Sequence, residues 1–324
     1  MNNKIIALIL AIILLPTVFF SWSVHSNLKT PAVQAIIINF DKSASASQFA
    51  HILKENNLIS SPKLFLSVIR FKGLSHKLKA GVYEVKPGET ALQILQRVVA
   101  GDVLVKNFTI IAGTTQAKID KDLQAANYLQ YQADDWNMLQ DGHLNAEGQV
   151  LADTYQYRGG SSGKTLLENA HQNLQTYLTN AWNNRAADLP FKSAYELLIA
   201  ASIIEKESAH ADERKLIAGV LVNRIKMGMP LQMDPTVIYG LKEAYTGKLS
   251  HNDLLVDSPY NTYRYRGLPP TPIATVGKEA IDAAAHPTVS KYLYFVAKGD
   301  GRHQFSETYL QQRQAISQYK HKDS

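Results

Sequence analysis

A chain of 324 residues with 45% hydrophobic content is long enough for one large domain or two moderate ones with a real core, so disorder is excluded as the default. The formal charge of +6 comes from scattered basic residues with no aromatic-interleaved Arg/Lys cluster. This speaks against a nucleic-acid partner and supports only mild attraction to an anionic polymer. Cysteine is absent, which excludes disulfides, thiol nucleophiles and Cys-type zinc sites and leaves the compartment to be read from the N-terminus.

Residues 1–4 form a short tail, and Ile5 to Trp22 is an uncharged, Ile/Leu-rich run broken only by Pro16. As a helix, about 18 residues span roughly 27 Å, close to the hydrocarbon core of a bilayer. Lys4 before the run and Trp22 at its far edge predict a transmembrane helix over 5–22 with the N-terminus cytoplasmic. Ser21 and Ser23 form a small-x-small pair that fits a cleaved signal peptide instead. Either way the remainder is exported, which puts the working part on the outer side of the cytoplasmic membrane.

Gln34 to Phe40 reads as a strand, and Ser47 to Asn57 carries Phe49, Ile52 and Leu53 at helical spacing. Pro62 opens a second short helix, Val82 to Val85 is a strand, and Lys86-Pro87-Gly88-Glu89 is a turn. Thr90 and Gln93 have capping-box spacing ahead of the stripe Leu92, Leu95, Val98 and Val99, with Gly101 as the stop. Val103 to Ile111 closes a small α+β module over residues 34–111. Residues 112–160 are polar and turn-rich and read as a connector with short helices. In the remaining region, 161–320, helices are expected at 163–188, 193–209 and 211–227. Loop-rich stretches follow, then a helix near 277–285 and a strand at YLYFVAK. The fold class is therefore α+β, with a mixed helical and loop-rich C-terminal domain.

The sharpest chemical signal is LLIAASIIEKES, residues 197–208, with two glutamates ending an almost wholly apolar helix. At about 100° per residue, Glu207 falls with Ile203 and Ala200 on the core side, while Glu205 is turned toward water. A carboxyl group in a poorly solvated cleft holds its proton to higher pH, as a general acid requires. An ordinary glutamate at a helix end fits the same pattern. In LQMDPTVIYG, Gln232 and Asp234 flank a turn stiffened by Pro235, which suits sugar recognition and equally suits a helix cap. The stretch 258–274 places Tyr260, Asn261 and Tyr263 beside Gly267-Leu268-Pro269-Pro270, either a carbohydrate cleft or a structural lid. His210, Asp212 and Glu213 lie close together, yet no HExxH or comparable spacing occurs, which argues against metal catalysis. No GxSxG elbow supports a serine hydrolase.

Five stretches in order, ASIIEKES, LVNRIKMGMPLQMDPTVIYG, YNTYRYRGLPPTPIATVG, AAAHP and YLYFVAKGDGRHQFS, give the chain its resemblance to the endolytic murein transglycosylases. The resemblance implies one membrane span, a small module similar to peptidoglycan-binding LysM domains, and a catalytic domain outside the membrane. It also implies that the second glutamate of the EKE motif, Glu207, is catalytic. Members cut the β-1,4 bond between N-acetylmuramic acid and N-acetylglucosamine within strands and leave 1,6-anhydro ends. Glu207 would act first as acid and then as base, and the oxocarbenium would be stabilised by the substrate's own acetamido group. Ser208, Asn223 and Thr236 lie in the same motifs and join Gln232, Asp234, Tyr260, Asn261 and Tyr263 as substrate-binding candidates. No metal or cofactor is implied; peptidoglycan glycan strands and the membrane's peptidoglycan synthases are the implied partners. A non-catalytic peptidoglycan-binding scaffold and a lysozyme-like hydrolase using water remain alternatives. The chain departs from the family where EGQVLADTY (147–155) replaces an EGYLFPDTY-like stretch, and at Thr271 and Val276, where glycine and proline are usual.

Overall fold

The computed structural model describes residues 22–320 apart from 24, 27, 42, 43 and 209. The transmembrane helix expected over 5–22 lies outside the described residues except for Trp22. Among the described residues no helix is long and apolar enough to cross a membrane. The described residues are mixed α and β, with three two-stranded sheets, and divide into two compact units. One comprises residues up to 106 with 127–130 and 156–161; the other comprises 107–126, 131–155 and everything from 162 onward.

In the first unit, β1 (Ile36–Phe40) pairs antiparallel with β2 (Gly81–Val85), running from Ile36 opposite Val85 to Phe40 opposite Gly81. The pleat turns Ile38 and Phe40 inward with Tyr83 and Val85. Between the strands lie α1 (Ala46–Glu55) and α2 (Pro62–Phe71), and α3 (Ala91–Ala100) follows β2. Each helix begins where its sequence supplies acceptors for the free N–H groups of the first turn. Ser45 and Gln48 form a reciprocal capping box on α1, as Thr90 and Gln93 do on α3, and Ser61 caps α2 with Pro62 next to it. Gly101 ends α3 in the left-handed conformation at φ 77°. The buried side chains include Phe49, Leu53, Phe65, Ile69, Ile94, Leu95 and Val98. Phe40, Phe49 and Phe65 form a chain of tilted rings with centroids 5.3 and 6.1 Å apart. Each such side chain contributes about 1.5–3 kcal/mol by leaving water, so this unit has a core of its own.

The second unit is helical. Its elements are α4 (Gln116–Gln124), a 3-10 turn at Ala133–Leu139, α5 (Gly163–Asn183), α6 (Ala194–Glu207) and α7 (Ala211–Lys226). These are followed by α8 (Asp234–Leu241), 3-10 turns at Lys242–Ala244 and Asp253–Leu255, α9 (Lys278–Ala285) and α10 (Tyr309–Lys320). In this unit β5 (Tyr294–Ala297) pairs antiparallel with β6 (His303–Ser306), and elsewhere in the chain β3 (Val105–Thr109) pairs with β4 (Thr154–Arg158). Helix α6 runs through the middle of the unit and packs on α5, α7, α8 and α9, with every residue from Leu197 to Ile204 buried.

Four elements differ from the sequence expectation, one of them β4, a strand in the stretch that reads as a connector with short helices. The stretch containing Asp234 and Pro235 is a helix, because the fixed φ of proline suits a first helical turn. β6 and α10 lie where no apolar stripe announces them.

Candidate active site

The all-apolar run of α6 ends in a polar pair, and the structure treats its two glutamates differently. Glu207, the last helical residue, is half-buried. Its carboxyl is raised to about 8, chiefly by burial and next by the Asp234 carboxylate, with the Arg224 guanidinium partly offsetting both. Glu205, expected to face water, has a side chain only 4% exposed. It meets the Arg214 guanidinium at 2.8 Å and accepts the Gly277 N–H at 3.0 Å, capping the start of α9. The helix is surrounded, so its polar side is covered by α9 and the preceding loop instead of by solvent. Glu205 is thus a structural carboxylate, and Glu207 is the one that stays protonated near neutral pH.

Arg224 reaches the same region from α7 and is itself buried. Its guanidinium donates to the carbonyls of Leu293 and Leu231, each at 2.6 Å, and lies 5.2 Å from the Tyr294 ring centre. A third donation, at 3.4 Å, goes to Gln232 Oε1. Gln232 is exposed and held at φ 52°, a left-handed conformation unusual for a side chain of its size, with its N–H on the Thr262 carbonyl at 3.1 Å. Backbone strain of this kind costs on the order of 1–3 kcal/mol and persists where the surroundings over-determine it. Asp234, also exposed, opens α8 and accepts the Tyr263 hydroxyl at 2.5 Å. Burial and the nearby Asp234 and Glu207 carboxylates raise the Tyr263 phenol, so it stays a donor.

Of the residues expected in the site, Glu207, Gln232, Asp234 and Tyr263 come together around Arg224. The others hold the walls. Thr236 is 0% exposed and its hydroxyl bonds the Met233 carbonyl at 2.6 Å and the Thr262 hydroxyl at 2.8 Å. Asn261 is 1% exposed; its amide donates to the Leu254 and Val256 carbonyls at 3.0 and 2.8 Å and its oxygen accepts the Tyr263 N–H at 3.0 Å. Its polar groups are used in folding the loop that presents Tyr263. Ser208 is buried and accepts the His210 N–H at 3.0 Å, turning the chain from α6 into α7. Asn223 is half-buried and donates to the Ser290 and Tyr292 carbonyls at 2.9 and 3.0 Å. Tyr260 is half-buried, with its hydroxyl 2.9 Å from that of Thr271.

Sequence reasoning missed Arg214, Arg224 and Glu147. Glu147 is buried at 4% exposure, and desolvation raises its carboxyl to about 7 against the hydrogen bonds that favour its charge. The signal available was the Glu147-Gly148 pair, since Gly148 adopts φ 71° at a tight turn. Among the described residues no three His, Asp or Glu side chains gather as metal ligands. His303 pairs with Glu213 at 2.8 Å and Arg302 with Asp212 at 2.7 Å. The chemistry available at Glu207 is therefore proton transfer: a carboxyl that keeps its proton at neutral pH, next to an anion that favours its return.

Comparison with known proteins identifies the family of the chain. The chain is 32% identical over 311 residues to the endolytic murein transglycosylase of Bacillus subtilis, covering 87% of this chain and 84% of that protein. It is 34% identical over 164 residues to the endolytic murein transglycosylase of Streptococcus pneumoniae serotype 2, 47% of this chain but only 28% of the longer relative. The crystal structure of a YceG-like protein from Listeria monocytogenes superposes with a TM-score of 0.55 at 28% identity, covering 87% of this chain and 99% of that one. Residues 38–318 match the profile of the YceG-like family, and the chain belongs to that family.

Proposed function

We propose that this protein is an endolytic lytic transglycosylase that cleaves the MurNAc-β-1,4-GlcNAc bond inside peptidoglycan strands, with Glu207 as its single acid and base. The observation that carries the reading is the half-buried Glu207 carboxyl, raised to about 8 beside Asp234. In the first step the Glu207 proton passes to the glycosidic oxygen as the bond to the muramyl anomeric carbon breaks. In the second, the muramyl 6-hydroxyl oxygen bonds to that carbon and its proton passes to the Glu207 carboxylate. No water is consumed, the enzyme regains its proton, and the product is a 1,6-anhydro end. General acid/base assistance of this kind is worth about 10²–10⁴ in rate.

Gln232, Asp234 and Tyr263 are the best placed of the substrate-binding candidates, being at least partly accessible and gathered with Arg224 and Glu207. The first unit, with its own core, serves in this reading as a LysM-like module that holds the glycan. The apolar run at 5–22 anchors the chain with the N-terminus in the cytoplasm, the catalytic domain in the extracytoplasmic space, and the membrane's peptidoglycan synthases as partners. The test is mass analysis of glycan strands after digestion. Ends lighter by one water support transglycosylation, reducing ends mean a water-using muramidase, and retention without cleavage means a binding scaffold.

A further inference from the structure

The buried Glu147 carboxyl takes no part in the chemistry just described, yet it ties three segments together. One oxygen accepts the N–H of Gln116, the first residue of α4, at 2.8 Å; the other accepts the Tyr239 hydroxyl at 3.2 Å. The Glu147 N–H goes to the Asn145 side chain at 3.1 Å, so the carboxyl sits on a turn that is itself fixed. Gly148 leaves no freedom there either: a Cβ would stand 2.5 Å from Pro272.

Tyr239 lies on α8, which begins at Asp234. Tyr239 stands five positions after Asp234, about 1.4 helical turns on. Two sets of ties fix this short helix. At its start, Tyr263 holds Asp234, and Thr236 bonds Met233 and Thr262. Toward its end, Glu147 holds Tyr239, whose ring meets Tyr260 edge-on at 4.8 Å, and a Cβ on Gly240 would stand 2.7 Å from Ser258 Oγ. An isolated eight-residue helix is not stable in water, so its position is set by these ties. At 3.2 Å the Tyr239 bond to Glu147 is the longest hydrogen bond among them, and it is the one made to a buried carboxyl on a fixed turn.

We infer that Glu147 is a positioning residue for the reaction: by holding Tyr239 it sets where α8 presents Asp234 relative to Glu207. This rests on the proposed function. Displacement of about 1 Å at a reacting group costs up to about 10²-fold in rate. The charged and titratable groups facing Glu207 are Asp234 on α8, Arg224 on α7 and Tyr263 on the loop between α8 and α9. Of these, Asp234 and Tyr263 change place if α8 shifts.

The test compares full-length wild type with Glu147→Gln, Tyr239→Phe, Asp234→Asn and the Glu147→Gln/Asp234→Asn double variant, using initial rates on soluble glycan strands across pH, with thermal melts alongside. The expected result is a several-fold fall in kcat on the alkaline side for Glu147→Gln and Tyr239→Phe, no larger than that of Asp234→Asn, and a basic limb of the pH–rate profile displaced toward lower pH, as in Asp234→Asn. In the Asp234→Asn background, Glu147→Gln should cost less than twofold more and leave the pH limb where Asp234→Asn puts it. Additive losses, or an unmoved basic limb, would overturn the inference. If Glu147→Gln does not fold, Tyr239→Phe, which removes one hydroxyl, carries the same cycle with the same two outcomes. A wild type that releases anhydro ends while Glu147→Gln matches it sinks this inference alone; a wild type that releases none sinks the proposed function with it.

Discussion

Replacing Asp234 with asparagine removes a negative charge from beside Glu207 while keeping a similar volume. Burial is the larger cause of the rise in Glu207 from 4.5 to about 8, with Asp234 second and Arg224 opposing. Because Asp234 is exposed, water screens it, and an exposed charge of this kind is worth on the order of 1 kcal/mol or less. The sign is fixed by the chemistry. The protonated form of Glu207 is the acid, so the rate falls as pH rises through its pKa. Losing the neighbouring anion lowers that pKa, and the basic limb of kcat moves to lower pH. Initial rates on soluble glycan strands between pH 5 and 10 would show it, with the two proteins closest near pH 6. A basic limb that stays in place or moves upward would show that Asp234 does not act on Glu207.

Three further outcomes follow from the same contacts. Glu205→Ala leaves Arg214 as a largely buried charge without its counter-ion, left holding the Ser208 carbonyl at 3.2 Å, and the Gly277 N–H uncapped, which should cost about 3–5 kcal/mol of stability in chemical denaturation; a loss under 1 kcal/mol would contradict its structural role. Gln232→Gly relieves a left-handed φ of 52° and should change stability by less than about 1 kcal/mol while lowering activity; unchanged activity would remove Gln232 from the site. Glu207 is a carboxyl raised by folding, so between pH 4.5 and about 8 the unfolded chain holds fewer protons and stability declines with rising pH. Glu207→Gln should therefore raise the thermal midpoint by a few degrees at pH 8 and hardly at all at pH 4.5, as functional residues often do when replaced; an equal shift at both pH values would refute the burial of this carboxyl.

Local signals carried the first unit. The Thr90–Gln93 capping box and the left-handed Gly101 form as their spacing predicts, because both depend only on neighbours within one turn. The apolar run of α6 was equally legible and so was the placing of Glu207 at its end. The burial of Glu205 was not: a helical wheel records how a helix is patterned but not what packs against its polar side, here the Gly277 N–H that arrives 72 residues later. Glu147 shows the same limit, since its partners lie 31 residues before it and 92 after it. Thr236 and Asn261 have side chains suited to sugars, yet both are consumed by the loops that carry Asp234 and Tyr263. Residue type alone does not separate a group that binds from one that builds. Helix α8 hid among loop residues because it is only eight residues long, and α10 because its sequence, YLQQRQAISQYK, has too few apolar positions to form a stripe.

Mass spectrometry of glycan strands treated with wild type and with Glu207→Gln tests the role of this carboxyl most directly. The wild type should release fragments ending in 1,6-anhydro-N-acetylmuramic acid, one water lighter than a hydrolysis product, and the folded variant should release about 10²-fold less or none. Anhydro ends produced at an undiminished rate by Glu207→Gln would contradict the assignment.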